Sequence, residues 1–193
     1  MKTDIILSGV GGQGILSIAT VIGDAALNEG LHLKQAEVHG MSQRGGDVQS
    51  NLRISSDPIH SDLIPLGSAN VIISLEPMEA LRYMPYLAPD GWVITSSKPF
   101  VNIPNYPEQE VLDVALAKVK NLVLFDVAQI AADNGMPRSE NMVLLGGAVD
   151  AIGLSMDKIL DSVKRIFASK GEAVVEQNIK AVMLGYEQKR GGK

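Results

Sequence analysis

The chain opens on an apolar run, Asp4-Ile5-Ile6-Leu7-Ser8, that enters a crowded glycine turn, Gly9-Val10-Gly11-Gly12-Gln13-Gly14, and leaves it with Ile15, Ile18, Ala19, Ile22 and Ala26 at helical spacing. Buried strand, tight turn, then a helix laid back over the strand is the opening of a layered α/β sheet. Gly9, Gly11 and Gly14 fit G-x-G-x-x-G, a pattern that permits close backbone approach to a ligand and leaves amide donors at a helix N-terminus for an anion. Asn28-Glu29-Gly30 stops the helix, and Leu33 to Val38 predicts a second strand. A crossover of this length is expected to return that strand parallel and beside the first.

Glu37 then falls near the end of the second strand, 23 residues after Gly14. Dinucleotide-binding folds often place a ribose-binding acid there. The same glycines serve equally to let helix and strand pack closely. A Walker A loop is excluded because Ile15-Leu16 follows Gly14, with no Lys-Ser or Lys-Thr pair.

A second glycine loop, Gly40-Met41-Ser42-Gln43-Arg44-Gly45-Gly46, follows the second predicted strand, where open α/β sheets carry ligand or partner loops. The Arg44 guanidinium suits a phosphate or a partner carboxylate, and Ser42 and Gln43 add neutral hydrogen-bonding groups. His39 lacks a nucleophile or fixed carboxylate beside it. With His32 and His60 it makes no compact ligand pattern, so no resident metal is expected.

Val48 to Ile54 alternates apolar and polar residues, predicting a strand with one buried and one wetter face. It follows the second loop so closely that a hairpin, and so a mixed sheet, is an alternative to a second crossover. Ala69 to Leu75 is a strand, Glu76-Pro77 opens a helix, Pro85 ends it, and Pro89-Asp90-Gly91 reads as a turn before a strand from Trp92 to Thr95. Trp92 is expected to pack rather than to serve a cofactor. Ser96 to Pro107, with three prolines, is a surface loop. A helix around 111–119, a strand Leu122–Phe125, an Asp126-capped helix ending at Asn134-Gly135, a buried helix Met142–Ile152, one after Ser155 and one after Lys170-Gly171 complete the order. The expected fold is a single-domain, Rossmann-like α/β three-layer sandwich with a parallel or mixed sheet and a helical C-terminal third. The domain spans residues 1–188, and 189–193 form a flexible tail.

Seventeen basic and twenty-two acidic residues give a net charge of -5, which disfavours nucleic-acid backbone binding as the main task. There is no cysteine, so this chain offers no thiolate for an iron–sulfur cluster. The short apolar run before the first glycine gives neither a signal peptide nor a membrane span, and a cytoplasmic location is expected. No serine-nucleophile elbow, zinc-protease helix or compact carboxylate pair points to hydrolysis.

Taken together, Gly9-Val10-Gly11-Gly12-Gln13-Gly14 and Met41-Ser42-Gln43-Arg44-Gly45-Gly46, with the Phe125–Ala128 and Asn141–Gly147 segments, resemble the gamma subunit or domain of 2-oxoacid:ferredoxin oxidoreductases. The resemblance runs nearest to the indolepyruvate branch, whose free-standing beta subunit corresponds to that domain. It implies a complex that decarboxylates a 2-oxoacid with thiamine diphosphate and Mg, passes electrons through iron–sulfur clusters to ferredoxin, and forms a coenzyme A ester. No thiamine-diphosphate signature is present here, so a larger partner is expected to hold thiamine diphosphate and clusters. By the same resemblance, Gly9, Gly11, Gly12, Gln13 and Gly14 would face the substrate or coenzyme A. Ser42, Gln43 and Arg44 would contact coenzyme A or the partner, with partner contact preferred for Arg44. The alternatives are a stand-alone dinucleotide- or flavin-dependent oxidoreductase and a purely structural subunit.

Overall fold

The computed structural model describes residues 1–39 and 45–191. Strand β1, Lys2–Val10, lies inside a six-stranded sheet that also contains β2 (His32–His39), β3 (Asp47–Ser55), β4 (Ala69–Ser74), β5 (Leu87–Ser96) and β6 (Leu122–Phe125). Their spatial order is β2-β3-β1-β4-β5-β6. The strands β1, β4, β5 and β6 are parallel neighbours, whereas β3 runs antiparallel to both β1 and β2. The sheet is therefore mixed, as the closeness of β3 to the second glycine loop allowed.

One expectation is corrected. β2 does not return beside β1, because β3 takes that position with Ile5 opposite Leu52 and Ile6 opposite Asn51. The seven residues between His39 and Asp47 are too few for a crossover, so β3 pairs antiparallel with β2, and β3 pairs with β1 along its other side.

Alternation along the strands builds two cores. Ile5 and Leu7 of β1, with Val71, Ile73 and Ile94, face the larger one, while Ile6, Ile72 and Val93 face the smaller. Both faces are covered, which is why these strands read as continuous apolar runs. Over the larger core lie α1 (Ile15–Asn28), α4 (Val127–Asp133), α5 (Glu140–Ile152), α6 (Met156–Phe167) and α7 (Glu172–Gly191); α2 (Pro77–Arg82) and α3 (Gln109–Leu116) cover the other side. The helix α5 is buried along most of its length and packs on the sheet on one side and on α7 on the other. The predicted Asp126 cap is in place, accepting from Gln129 N at 2.9 Å, and Ser155, expected only to precede a helix, also caps it by accepting from Lys158 N at 3.4 Å.

The wetter face expected of β3 is covered. Arg53 forms a two-point pair with Asp4 at 2.7 and 3.0 Å and donates to the Ser61 and Leu63 carbonyls, while Asn51 accepts from Ile64 N. Polar residues lie here because this side is closed by the 61–64 loop through hydrogen bonds. Pro89-Asp90-Gly91 is not a turn but part of β5, where a register irregularity between Ala69 and Val71 absorbs it. The helix α7 also runs past the boundary expected of a flexible tail, and Lys189 bonds Asp150 at 3.0 Å. No described helix is long and apolar enough to cross a membrane.

Candidate functional site

The chain leaves β1 on one face of the sheet through α1 and leaves β4 on the other through α2, so the C-terminal ends of β1 and β4 form a switch point. Here the two glycine loops meet. Gly11 N donates to Gly46 O at 2.8 Å, which ties the end of the second loop to the first. Gly45 O accepts from Asn102 Nδ2 at 2.8 Å, so the segment after β5 joins the same cluster. Ser42, Gln43 and Arg44 lie outside the described residues, as does the side chain of His39. His32 and His60 are exposed and belong to the opposite edge of the sheet.

Each glycine of the first loop has a distinct local cause. A Cβ on Gly9 would stand 2.9 Å from Gln13 Oε1 and 3.1 Å from Ile15, so its absence makes room for the Gln13 side chain. That side chain accepts from Val10 N at 2.7 Å and donates to Leu75 O at 3.4 Å, stitching the end of β1 to the end of β4. Gly14 has φ 83° and carries the Asn141 amide against it, with Asn141 Nδ2 donating to Gly14 O at 3.1 Å. Gly12, at φ 104°, faces open space. The dinucleotide geometry is absent: a ribose-binding acid belongs on the strand beside β1, but Glu37 is on β2, one strand further out, and accepts from Gln35 Nε2 at 2.6 Å.

A cleft of about 500 Å³ opens over this junction. Gly11, Gly12 and Gln13 form one wall; Phe100 and Pro137 supply apolar surface, and Arg138, Glu140 and Asn141 polar groups. A second hollow of about 450 Å³ continues past Gly14 and Asn141 toward Lys170 and Asn178. Arg138 is exposed and is in no ion pair among the described residues. Glu140, at the start of α5, has its carboxyl raised by burial and then by the facing Asp126 charge. Asp126 is itself 3.6 Å from Lys98.

Behind the cleft sits Glu76, fully buried, whose carboxyl burial pushes up from its ordinary value against the opposing effect of its hydrogen bonds. It accepts from Glu79 N at 2.8 Å, from Phe100 N at 3.4 Å and from the Tyr106 hydroxyl. Burial and this carboxylate hold the Tyr106 hydroxyl above the usual phenol range. The sequence marked Glu76 only as the residue before a helix-starting proline, and did not single out Phe100, Asn102 or Arg138. An acid directly after an apolar strand at a switch point was the available signal for Glu76; the others follow from long-range packing. Trp92 lies away from the cleft, beneath Lys189, whose ammonium is 5.4 Å from the ring centroid. Among the described residues no group of three or more His, Asp or Glu could hold a metal.

Residues 4–188 match the model of the pyruvate ferredoxin/flavodoxin oxidoreductase family. The chain is 35% identical to indolepyruvate oxidoreductase subunit IorB of Pyrococcus horikoshii, covering 94% of this chain and 93% of that one. It is 33% identical to the subunit of the same name from Archaeoglobus fulgidus, covering 100% and 98%. Among solved structures, the gamma subunit of a keto/oxoacid ferredoxin oxidoreductase from Geobacter sulfurreducens superposes with a TM-score of 0.72 at 23% identity over 98% of this chain and 99% of that one. The 2-oxoglutarate:ferredoxin oxidoreductase of Magnetococcus marinus, solved with 2-oxoglutarate, coenzyme A and succinyl-CoA, superposes with a TM-score of 0.77 at 19% identity; all of this chain corresponds to 32% of that one.

Proposed function

We propose, from the premise that this chain belongs to the pyruvate ferredoxin/flavodoxin oxidoreductase family, that it is the cluster-free subunit of a 2-oxoacid:ferredoxin oxidoreductase. The substrate we assign is an aryl pyruvate such as indolepyruvate, converted with coenzyme A to the arylacetyl coenzyme A ester, carbon dioxide and reduced ferredoxin. The observation that carries this reading is the near-full-length similarity to the IorB subunits, in a chain with no cysteine of its own.

The donor sets support placing the redox and thiamine groups on another chain. Iron–sulfur clusters need thiolates and a Mg-diphosphate needs clustered carboxylates; neither set is present among the described residues, so both centres are assigned to a larger partner. Those groups supply the carbanion and single-electron chemistry. The cleft suits a part of coenzyme A or of the 2-oxoacid. Gly12 leaves space for close approach, Arg138 offers a cation in no ion pair among the described residues, and Phe100 with Pro137 offers an apolar wall. In this reading the chain orients its ligand and excludes water from the partner's centres. Gly9 acts indirectly, by admitting Gln13. Ser42, Gln43 and Arg44 form the polar contact with partner or coenzyme A.

The test is co-purification with the native partner, then a panel of pyruvate, 2-oxoglutarate, branched-chain and aryl 2-oxoacids assayed for coenzyme A-dependent ferredoxin reduction. Turnover should need both chains and favour the aryl substrates, with little activity from this chain alone. Tight nicotinamide or flavin binding by the isolated chain, with no partner recovered, would overturn the assignment.

A further inference from the structure

Residues 97–107, between β5 and α3, bring Phe100 to the cleft as a strap with little to hold it by burial. Phe100 is 47% exposed, Val101 70% and Ile103 42%, and Pro99, Pro104 and Pro107 contribute no backbone donors. Its ties are polar. Phe100 N and the Tyr106 hydroxyl both donate to Glu76 Oε1, and Asn102 donates to Gly45 O. The other Glu76 oxygen caps α2 through Glu79 N.

A cap alone does not explain this residue. Helix N-caps are usually Ser, Thr, Asp or Asn, which cap without burying a long carboxylate. Arg82, the cation next to this site, is bonded to Glu79 at 2.8 and 3.1 Å and not to Glu76. Keeping a carboxylate in such a place is costly unless its hydrogen bonds accomplish something further. What they accomplish here is to join α2 to both limbs of the strap.

We infer that Glu76 is a positioning residue for the cleft: through Phe100 N and the Tyr106 hydroxyl it holds the strap so that Phe100 lines the cleft with Gly11 and Gly12, without itself touching the ligand. What enters the cleft rests on the proposed function, whereas the strap rests on the geometry alone. Releasing either tie lets Phe100 leave the wall, which weakens ligand binding more than it slows turnover.

The experiment uses the full-length chain co-purified with its partner, and compares Tyr106→Phe, Glu76→Ala, Glu76→Gln and Phe100→Ala. In Tyr106→Phe, amide hydrogen exchange around Phe100–Ile103 should accelerate about tenfold or more, the change expected from losing one hydrogen bond to a charged acceptor. Exchange in β1 and β4 should stay as in the parent. The KM for coenzyme A or the 2-oxoacid should rise by a larger factor than kcat falls, and Phe100→Ala should reproduce the KM change without the exchange change. Glu76→Gln, which keeps an oxygen for the cap, should recover part of what Glu76→Ala loses. Unchanged strap exchange in Tyr106→Phe and Glu76→Ala overturns the inference. So does acceleration spread through β4 and α2 in Tyr106→Phe, which leaves the α2 cap intact, or faster strap exchange with KM unmoved. If no variant and no parent complex reduces ferredoxin, the functional assignment fails, and the exchange pattern still decides whether Glu76 holds the strap.

Discussion

Adding one methyl group at Gly146 should destabilise the protein even though alanine is the better helix former. Gly146 of α5 faces α7, where a Cβ would lie 2.0 Å from Val182 O against the 3.4 Å at which ordinary contact begins, a shortfall of 1.4 Å. The approach is reciprocal, since a Cβ on Gly185 of α7 would lie 1.8 Å from Val143 O. The obstacle is backbone in each case, so no rotamer change relieves it and the helices must separate. Overpacking costs about 1–3 kcal/mol, and a rigid obstacle between buried helices places this case at the upper end. Exchanging glycine for alanine inside a helix returns about 1 kcal/mol. The net is a loss of about 2 kcal/mol, which for a chain of this size is a fall in Tm of about 4–8 °C. Gly147 is the internal control. Its Cβ would meet the Phe125 ring at 2.7 Å, but that ring belongs to a half-buried side chain that can turn away for about 1 kcal/mol, offset by the gain in helix propensity. Urea unfolding of both variants, with the m value checked for constancy, measures the difference. If Gly146→Ala matches the parent, or if the two alanine variants are equally destabilised, the backbone contact between α5 and α7 is not what the glycines serve.

Arg53→Ala should cost about 3–5 kcal/mol in the same urea assay, because it leaves the Asp4 carboxylate buried without its two-point partner and frees the Ser61 and Leu63 carbonyls; a loss below about 1 kcal/mol would mean that the pair is solvated. Asp24 joins α1 to α6: its partial burial raises its pKa, but the hydrogen bonds from Arg165 and Ser162 lower it further, to a net value below the ordinary range. An acid with a depressed folded pKa adds stability above its unfolded pKa of about 4 and loses it as pH falls through the folded value. Thermal melts between pH 5 and pH 2 should therefore decline more steeply for the parent than for Asp24→Asn, and parallel curves would refute the linkage.

What could be read from sequence is what local chemistry decides. The β1–turn–α1 unit, the proline at the start of α2, the Asp126 cap and the helix after Ser155 depend on residues within a few positions of one another, and each was legible. The place of β3 was not, because alternation tells which residues share a face but not which strand lies alongside. Gly91 reads as a turn residue until it is seen that a Cβ there would press on Ala69 O at 2.9 Å, so the glycine serves a close strand approach instead. At the candidate site, the two glycine loops were visible and their junction was not. Asn141 reaches Gly14 across 127 positions of sequence, and Glu76 gains its importance only when the strap folds back onto it.

The difference between this turn and a nucleotide-binding one lies in where its N–H groups are spent. In a dinucleotide fold the amides of the glycine turn remain available for a diphosphate. Here Val10 N is taken by Gln13 Oε1, Gly11 N by Gly46 O, and Gln13 N by Val10 O. Gly12 N and Gly14 N are left as donors without a partner among the described residues. The inserted antiparallel strand is the cause, because the approach to β3 brings Gly46 O to 2.8 Å from Gly11 N. The fingerprint spacing survives since a close turn still needs glycine, but part of its donor capacity is used in closing the turn and joining two loops. An anion in the cleft would therefore meet the remaining Gly12 and Gly14 amides together with the exposed Arg138, which is in no ion pair among the described residues.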